Sequence, residues 1–384
     1  MSGLGQKKSK AQGFVSSIWQ FEGSGGPAPY RWYGTLPEQL IERVLDLYAP
    51  ESSKFLDPFA GTGTSLNLAL KRGLEVSGLD VNPLACLISN LRLQIRPKES
   101  ELEKAFNRIT SNQKGKFDDF FADTRFEYSR KWWRSDSLIG SLSLFNAICD
   151  EKDPIIQSIF FVAASQKIRD VANIDSRCTH HLVTKKKEFI DIKSGLRKQI
   201  DKVVESMNNE KQTASRVLVQ QADSTDVNLD IGEFDLVFAH PPYLGMINYH
   251  LIHRLQTDIL HYVSESKSPV ALSGLNFENS SIKSRDVSTD SENKYSTFVA
   301  RFAEKMNTVI KHGGKCVVII GDQRNKGNIR HPFTTFISEF EKLGFFTKEI
   351  FIWILQNNAG MHISRRGNFI DHNYILVFEQ SKEE

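Results

Sequence analysis

Apolar positions recur at helical spacing in TLPEQLIERVLDLYA, where Leu40, Ile41, Val44, Leu45 and Tyr48 form one stripe. This pattern predicts a helix. Thr35 and Glu38 have capping-box spacing, and Pro37 falls in the first turn. The period then shortens. KFLDPFAGTGTSLNLALKRGLEVSGLDVNPLACLISNLRLQI reads strand, glycine turn, helix, strand, helix, with Gly73 ending the first helix and EVSGLD as the second strand.

From residue 97 to 215 long helical patterns dominate, such as SLIGSLSLFNAICDE and PIIQSIFFVAASQKI, broken by the polar stretch RDVANIDSRCTHHLVTKKK. The strand–helix rhythm resumes at RVLVQQAD and EFDLVFAHPPY. A Ser- and Asn-rich segment, 264–293, reads as a long mobile loop. A helix over about Tyr295–Lys311 leads into strand KCVVIIGD. Helix PFTTFISEFEKLG and strands FTKEIFIWIL and NYILVFEQ close the chain. Such alternation predicts an α/β fold with a doubly wound, mostly parallel sheet. The expected organisation is a flexible arm over 1–29, one α/β domain from 30–96 and 216–384, and a mainly helical insertion over 97–215.

Composition narrows the class. The 384 residues are 25% charged and 40% hydrophobic, which excludes a disordered or collagen-like chain. No apolar run approaches the roughly 20 residues that span a bilayer, so no membrane partner is expected. The lysine-bearing N-terminus has no apolar core behind it and does not read as a signal peptide. Cys86, Cys149, Cys178 and Cys316 show no CxxC spacing. They predict neither a zinc cluster nor a disulfide framework, and a cytoplasmic location is expected. A net charge of +3 leaves nucleic acid open as a partner, provided that basic residues gather on one face.

Three places carry candidate chemistry. Asp57-Pro58-Phe59-Ala60-Gly61-Thr62-Gly63-Thr64 lies between a strand and a helix, where glycines let backbone approach a ligand and the helix N-terminus offers free N–H groups. It is not a dinucleotide fingerprint, because Leu66 stands at the third glycine position, and no GK[ST] makes it a P-loop. Asp80 ends the next strand; it can hold ribose hydroxyls or cap the helix opened by Asn82-Pro83. His240-Pro241-Pro242-Tyr243 follows an apolar strand. Its two prolines stiffen the exit and expose carbonyl acceptors, and a tyrosine there can stack on a planar base.

Together DPFAGTGT, the acidic strand end and HPPY resemble the S-adenosylmethionine-dependent amino-methyltransferases. More narrowly, they resemble the DNA methyltransferases that modify adenine N6 or cytosine N4. The resemblance implies a Rossmann-like methyltransferase fold, S-adenosyl-L-methionine as cofactor and double-stranded DNA as substrate. A cognate restriction endonuclease would be the partner in a restriction–modification system. It also implies site residues. The cofactor would meet Asp57, Pro58, Phe59, Ala60, Gly61, Gly63 and Thr64 of the glycine turn, and Thr35 in YGTLPEQL near its methionine part. Asp80 would take the ribose, and Asp223, ending RVLVQQAD, would approach the adenine. His240, Pro241, Pro242 and Tyr243 would be catalytic, with His240 and the Pro241 carbonyl accepting hydrogen bonds from the target amine and Tyr243 stacking on the extruded base. No metal is implied. The family usually has Asp, Asn or Ser where His240 stands. Neutral imidazole keeps one acceptor nitrogen and imidazolium keeps none.

Rival readings are an RNA guanine-N2 or protein glutamine-N5 methyltransferase, which use similar NPPY sites, or an inactive DNA-binding subunit. Only the arm and one helix precede the glycine turn, which weighs against a separate RNA-binding domain. Candidate DNA contacts are Lys167, Arg169, Arg177 and Lys185-Lys186-Lys187 in the insertion, Asp322-Gln323-Arg324-Asn325-Lys326, and Arg365-Arg366 with Asn368. His180-His181 lack partners at ligand spacing for a metal. Trp132-Trp133 are expected to pack in a core.

Overall fold

A computed structural model describes residues 15–21, 30–32, 34–111, 115–175, 184–209, 217–243, 249–278, 292–325, 328–355 and 372–381. Eight strands form one sheet: β1 (Val15–Gln20), β2 (Lys54–Asp57), β3 (Glu75–Asp80), β4 (Val217–Gln221), β5 (Phe234–Ala239), β6 (Ile310–Gly321), β9 (Phe345–Ile354) and β10 (His372–Gln380). Their order is β1-β9-β10-β6-β5-β2-β3-β4. Every neighbouring pair is parallel except those made by β10, which runs antiparallel to both β6 and β9. A small hairpin, β7 (Gln323–Asn325) and β8 (Asn328–Arg330), follows β6.

The two-residue period of the strands sorts their side chains into two cores. Phe55, Leu236, Phe238, Val317, Ile319, Ile375 and Val377 face helices α1 (Glu38–Tyr48) and α2 (Thr64–Lys71). Leu56, Val237, Ala239, Val318, Ile320, Leu376 and Phe378 face α11 (Glu292–Val309) and α12 (Pro332–Lys342). A third core is wholly helical. It joins α3 (Pro83–Arg92) to α4 (Glu99–Ser111), α5 (Asp118–Ala122), α6 (Glu127–Arg130), α7 (Ser135–Cys149), α8 (Pro154–Val171) and α9 (Leu196–Glu205). Helix α10 (Tyr249–Lys267), which follows HPPY, closes the same core through Leu255, Ile259 and Val263. Thus α3 is apolar on two sides, and α10 lies outside 97–215 yet packs with it. Trp133 is buried in this core, and Trp132 packs against it.

Several expectations need correction. The first 29 residues are not all a loose arm: Val15–Gln20 pairs in parallel with β9, and Trp19 packs on Phe351 with ring centroids 4.4 Å apart. No capping box forms. The helix begins at Glu38 with Pro37 as N-cap, and the Thr35 hydroxyl donates instead to the Trp32 carbonyl at 3.3 Å. The 264–293 segment is structured at its start, since α10 runs to Lys267 and Phe277 is buried in the helical core. Gln221 donates to the Val81 and Asn276 carbonyls and so ties that stretch to the ends of β3 and β4.

Trp19 is 8% exposed at the margin of the sheet. Trp19→Ala is expected to cost about 3 kcal/mol, the usual scale for truncating a buried aromatic side chain. Urea unfolding measures it, and a cost near zero would return the segment to a loose arm.

Candidate active site

The strand order reverses between β2 and β5, and open α/β sheets bind ligands in the crevice beyond the carboxyl ends at such a point. Leu56 pairs with Val237, so β2 and β5 end side by side. The loop leaving β2 is the glycine turn, and the loop leaving β5 is HPPY.

Buried carboxylates hold the turn. Asp57 accepts from the Phe59 N–H at 2.9 Å with one oxygen and from the Ser65 hydroxyl with the other. Burial pushes its pKa up to about 7, against the opposing pull of these two hydrogen bonds. Asp80 accepts from the Gly61 N–H at 2.9 Å and the Asn82 N–H at 2.8 Å. Burial lifts its pKa to about 6. Asp80 is not the helix cap; Asn82 is, accepting from the Leu84 N–H. Pro58 and Ala60 are buried, whereas Gly61 and Thr64 are half-buried. The Phe59 ring points into the core, 5.2 Å from Phe302. Gly61 and Gly63 have φ of 51° and 71°, a region that other residues seldom adopt. A Cβ on Gly63 would come within 2.7 Å of Ser89 Cβ, so α2 and α3 can approach only because that atom is missing.

Two residues around the turn have no signal in the sequence. Arg92 is buried on α3 and donates from Nη1 to the Thr62 carbonyl and the Thr64 hydroxyl, both at 2.9 Å. Burial lowers its pKa to about 10. Trp32 covers Gly61, with its indole Nε1 3.2 Å from where a Cβ would stand. Trp32 stacks on His253 of α10, centroids 4.3 Å apart and 13° from parallel. Burial holds His253 neutral by pushing its pKa down to about 3.

Asp223, just past β4, accepts from the Thr225 N–H and hydroxyl. Thr35 is half-buried at the start of α1. The β2, β3 and β4 ends therefore carry Asp57, Asp80 and Asp223 in adjacent loops.

In HPPY, Pro241 is buried and the other three residues are half-buried. His240 Nε2 lies 3.2 Å from the Tyr243 hydroxyl. Tyr243 packs on the end of β6, where a Cβ on Gly321 would stand 2.9 Å from its ring. Tyr295 of α11 donates to the Pro242 carbonyl at 3.3 Å. Beyond β6, Asp322 is buried and faces His331 Nδ1 at 3.0 Å and His372 Nε2 at 4.0 Å.

The basic clusters divide. Lys187 donates from Nζ to the Arg169 and Asp170 carbonyls at the end of α8, so it is a helix cap rather than a solvated charge. Lys167 pairs with Asp170, and Arg169 is buried, donating to the Ile252 carbonyl. Lys185 and Lys186 are exposed. Asp322 and Gln323 are buried, which removes them as groove readers in this conformation. Arg177, His180, His181, Lys326, Arg365, Arg366 and Asn368 lie outside the described residues. Among the described residues no His, Cys, Asp and Glu group could hold a metal, and no helix is long and apolar enough to cross a membrane.

This arrangement defines a class: a doubly wound α/β protein with a glycine turn and a proline-stiffened acceptor loop side by side at its switch point. The chain belongs to the N6/N4 DNA methylase family, whose model matches residues 4–91 and 234–384, more than half of its length. It is 32% identical over 150 residues to the type II methyltransferase M.MvaI of Kocuria varians, covering 35% of this chain and 32% of that protein. It is 35% identical over 69 residues to the type II methyltransferase M.MjaII of Methanocaldococcus jannaschii, covering 18% of this chain and 13% of that one. The matched stretch thus spans a third or less of these curated relatives. Among solved structures, TrmN of Thermus thermophilus is 11% identical with a TM-score of 0.36, over 91% of this chain and 50% of that one. A DNA modification methylase described as putative, from the same organism, is 18% identical with a TM-score of 0.19, over 24% and 40%. Such low scores add nothing to the fold, which stands on the strand order.

Asp57 provides a test of the turn. Its folded pKa is raised from 3.8 to about 7, so the protonated form is the one that folding favours. Its contribution to stability is full below the ordinary carboxylate value and is lost as pH rises through about 7. Thermal melts of the cofactor-free protein from pH 5 to 8 are expected to show this decline, and Asp57→Asn is expected to reduce it to the part carried by Asp80, whose pKa is also raised. An unchanged slope would place the ionisation elsewhere.

Proposed function

We propose that the chain is an S-adenosylmethionine-dependent methyltransferase acting on an exocyclic amine, adenine N6 or cytosine N4, at specific sites in double-stranded DNA. The observation that carries this reading is the meeting of the glycine turn and HPPY at the ends of β2 and β5. The type II names of the relatives support a place in restriction–modification beside a cognate restriction endonuclease, and hence a cytoplasmic setting.

The residues around the turn fit such a cofactor. Gly61 presents backbone without a side chain, Asp80 and Asp223 offer acceptors for hydroxyl and amino groups, and Trp32 walls one side. Thr35, half-buried just before α1, would take the methionine part. When bound, S-adenosylmethionine supplies an activated methyl group on a sulfonium. The chain's own work is at the amine. The nitrogen lone pair is delocalised into the base, and hydrogen bonds from its N–H groups to His240 and the Pro241 carbonyl draw it toward tetrahedral geometry. Positioning of this kind is worth on the order of 7–11 kcal/mol in a bimolecular step.

The Tyr243 contact bears on which nitrogen of His240 serves. With Nε2 protonated and donating to the Tyr243 hydroxyl, Nδ1 carries the accepting lone pair; in the opposite tautomer Nδ1 is itself a donor. The hydroxyl can donate or accept, so the contact suits either tautomer, and the acceptor role requires the one with Nε2 protonated.

Single-molecule sequencing of DNA from cells expressing the chain tests the function and identifies base and site together. Unmodified DNA from cells with folded protein would reject it. Gly61→Val is expected to abolish cofactor binding, because a branched residue at φ 51° is strained and its Cβ meets Trp32. Calorimetry showing wild-type affinity in a folded variant would remove the turn from the site.

His240 yields a pH signature. Protonation removes the acceptor and sets a positive charge beside a nitrogen that becomes positive during transfer, so single-turnover rates are expected to fall on the acid side. His240→Asn restores an acceptor without a titrating proton and is expected to keep activity and lose that limb. His240→Ala is expected to lose about 10²-fold in rate while binding cofactor normally. An acid limb that survives in His240→Asn belongs to another group.

A further inference from the structure

Phe189 and Ile190 are 52% and 37% exposed, and are the one consecutive pair among the exposed large apolar side chains of the described residues. Phe189 is also more exposed than Phe121 or Phe346, the other aromatic residues in that set. The backbone two residues before them is held in place. The Lys185 N–H donates to the Asn173 carbonyl, and the Lys187 N–H to the Asn173 side chain, both at 3.0 Å. Lys187 Nζ bonds the last carbonyls of α8. From the same turn of α8, Arg169 reaches the Ile252 carbonyl of α10, the helix that follows HPPY. The pinned backbone at Lys185 and Lys187 therefore leads, through Glu188, into a bare aromatic and aliphatic pair, with Lys185 and Lys186 exposed on the same segment and tied through α8 to the helix that follows HPPY.

Two exposed cations beside an exposed aromatic suit duplex DNA: ammonium groups for phosphates, an apolar wedge for a base step. We propose that Phe189 enters the base stack where the target base leaves it, with Lys185 and Lys186 on the flanking phosphates. The inference rests on the DNA-methyltransferase reading above. Extruding a base costs stacking energy, and a side chain that fills the gap lowers that cost. Lysine contacts act on every sequence alike, whereas the wedge acts only when a base is displaced. The two roles therefore separate in measurement.

Once sequencing has mapped the modified site, two 30-bp duplexes are compared: one matched, one with a mismatch opposite the target base that loosens it in advance. On the matched duplex, Phe189→Ala is expected to slow single-turnover methylation at least tenfold. On the mismatched duplex it is expected to stay within about threefold of wild type, and Phe189→Trp is expected to keep the matched rate. Lys185→Ala with Lys186→Ala is expected to reduce the slope of log affinity against log salt by up to about 2, while Phe189→Ala leaves that slope unchanged. Since Phe189 is exposed, its replacement leaves the cores intact. Equal slowing on both duplexes, or no slowing on either, overturns the wedge, the latter leaving the pair to a protein partner. A wild-type chain that methylates neither duplex overturns the functional reading, and the wedge with it.

Discussion

Asp80 carries the constraint on which the site depends. One oxygen receives the N–H of Gly61 and the other that of Asn82, so a single carboxylate joins the glycine turn after β2 to the start of α3. Asp57 does the same within the turn, linking Phe59 to Ser65. Both groups lose water on folding, and their pKa values rise for that reason. They keep the turn open where a short apolar loop would collapse onto the sheet.

The turn is tied down from beneath as well. Arg92 bonds Thr62 and Thr64 from a buried position, and Gly63 lets α3 approach through the missing Cβ. Because α3 also belongs to the helical core, the glycine turn and the helices of 99–205 share one element. Helix α10 joins them from the other side, since it leaves HPPY, packs in the same core and stacks His253 on Trp32 over Gly61. A change in packing among these helices would reach both halves of the crevice.

The HPPY loop is held differently. Prolines restrict its backbone, Tyr295 fixes the Pro242 carbonyl, and Tyr243 lies against Gly321. The backbone of this tetrapeptide has little room to adjust.

Much of the scaffold was legible in the sequence, because strand and helix periods, glycine turns and proline exits are local properties of backbone and side chain. DPFAGTGT, Asp80 and HPPY could be placed at strand ends from pattern alone, and their order implied a doubly wound sheet. What tertiary structure decided were matters of long-range neighbourhood. Val15–Gln20 became a strand because β9 offered an unpaired edge, although its own composition carried little signal. Thr35 and Glu38 had the spacing of a capping box, but Pro37 and the turn from Trp32 took the hydroxyl elsewhere. Lys187 looked like one of three equal surface lysines until α8 supplied carbonyls for it alone. Arg92 and Trp32 reach the glycine turn from other parts of the chain, by contacts that no spacing rule encodes. Periodicity specifies which face of an element is buried; what that face meets depends on how the elements pack.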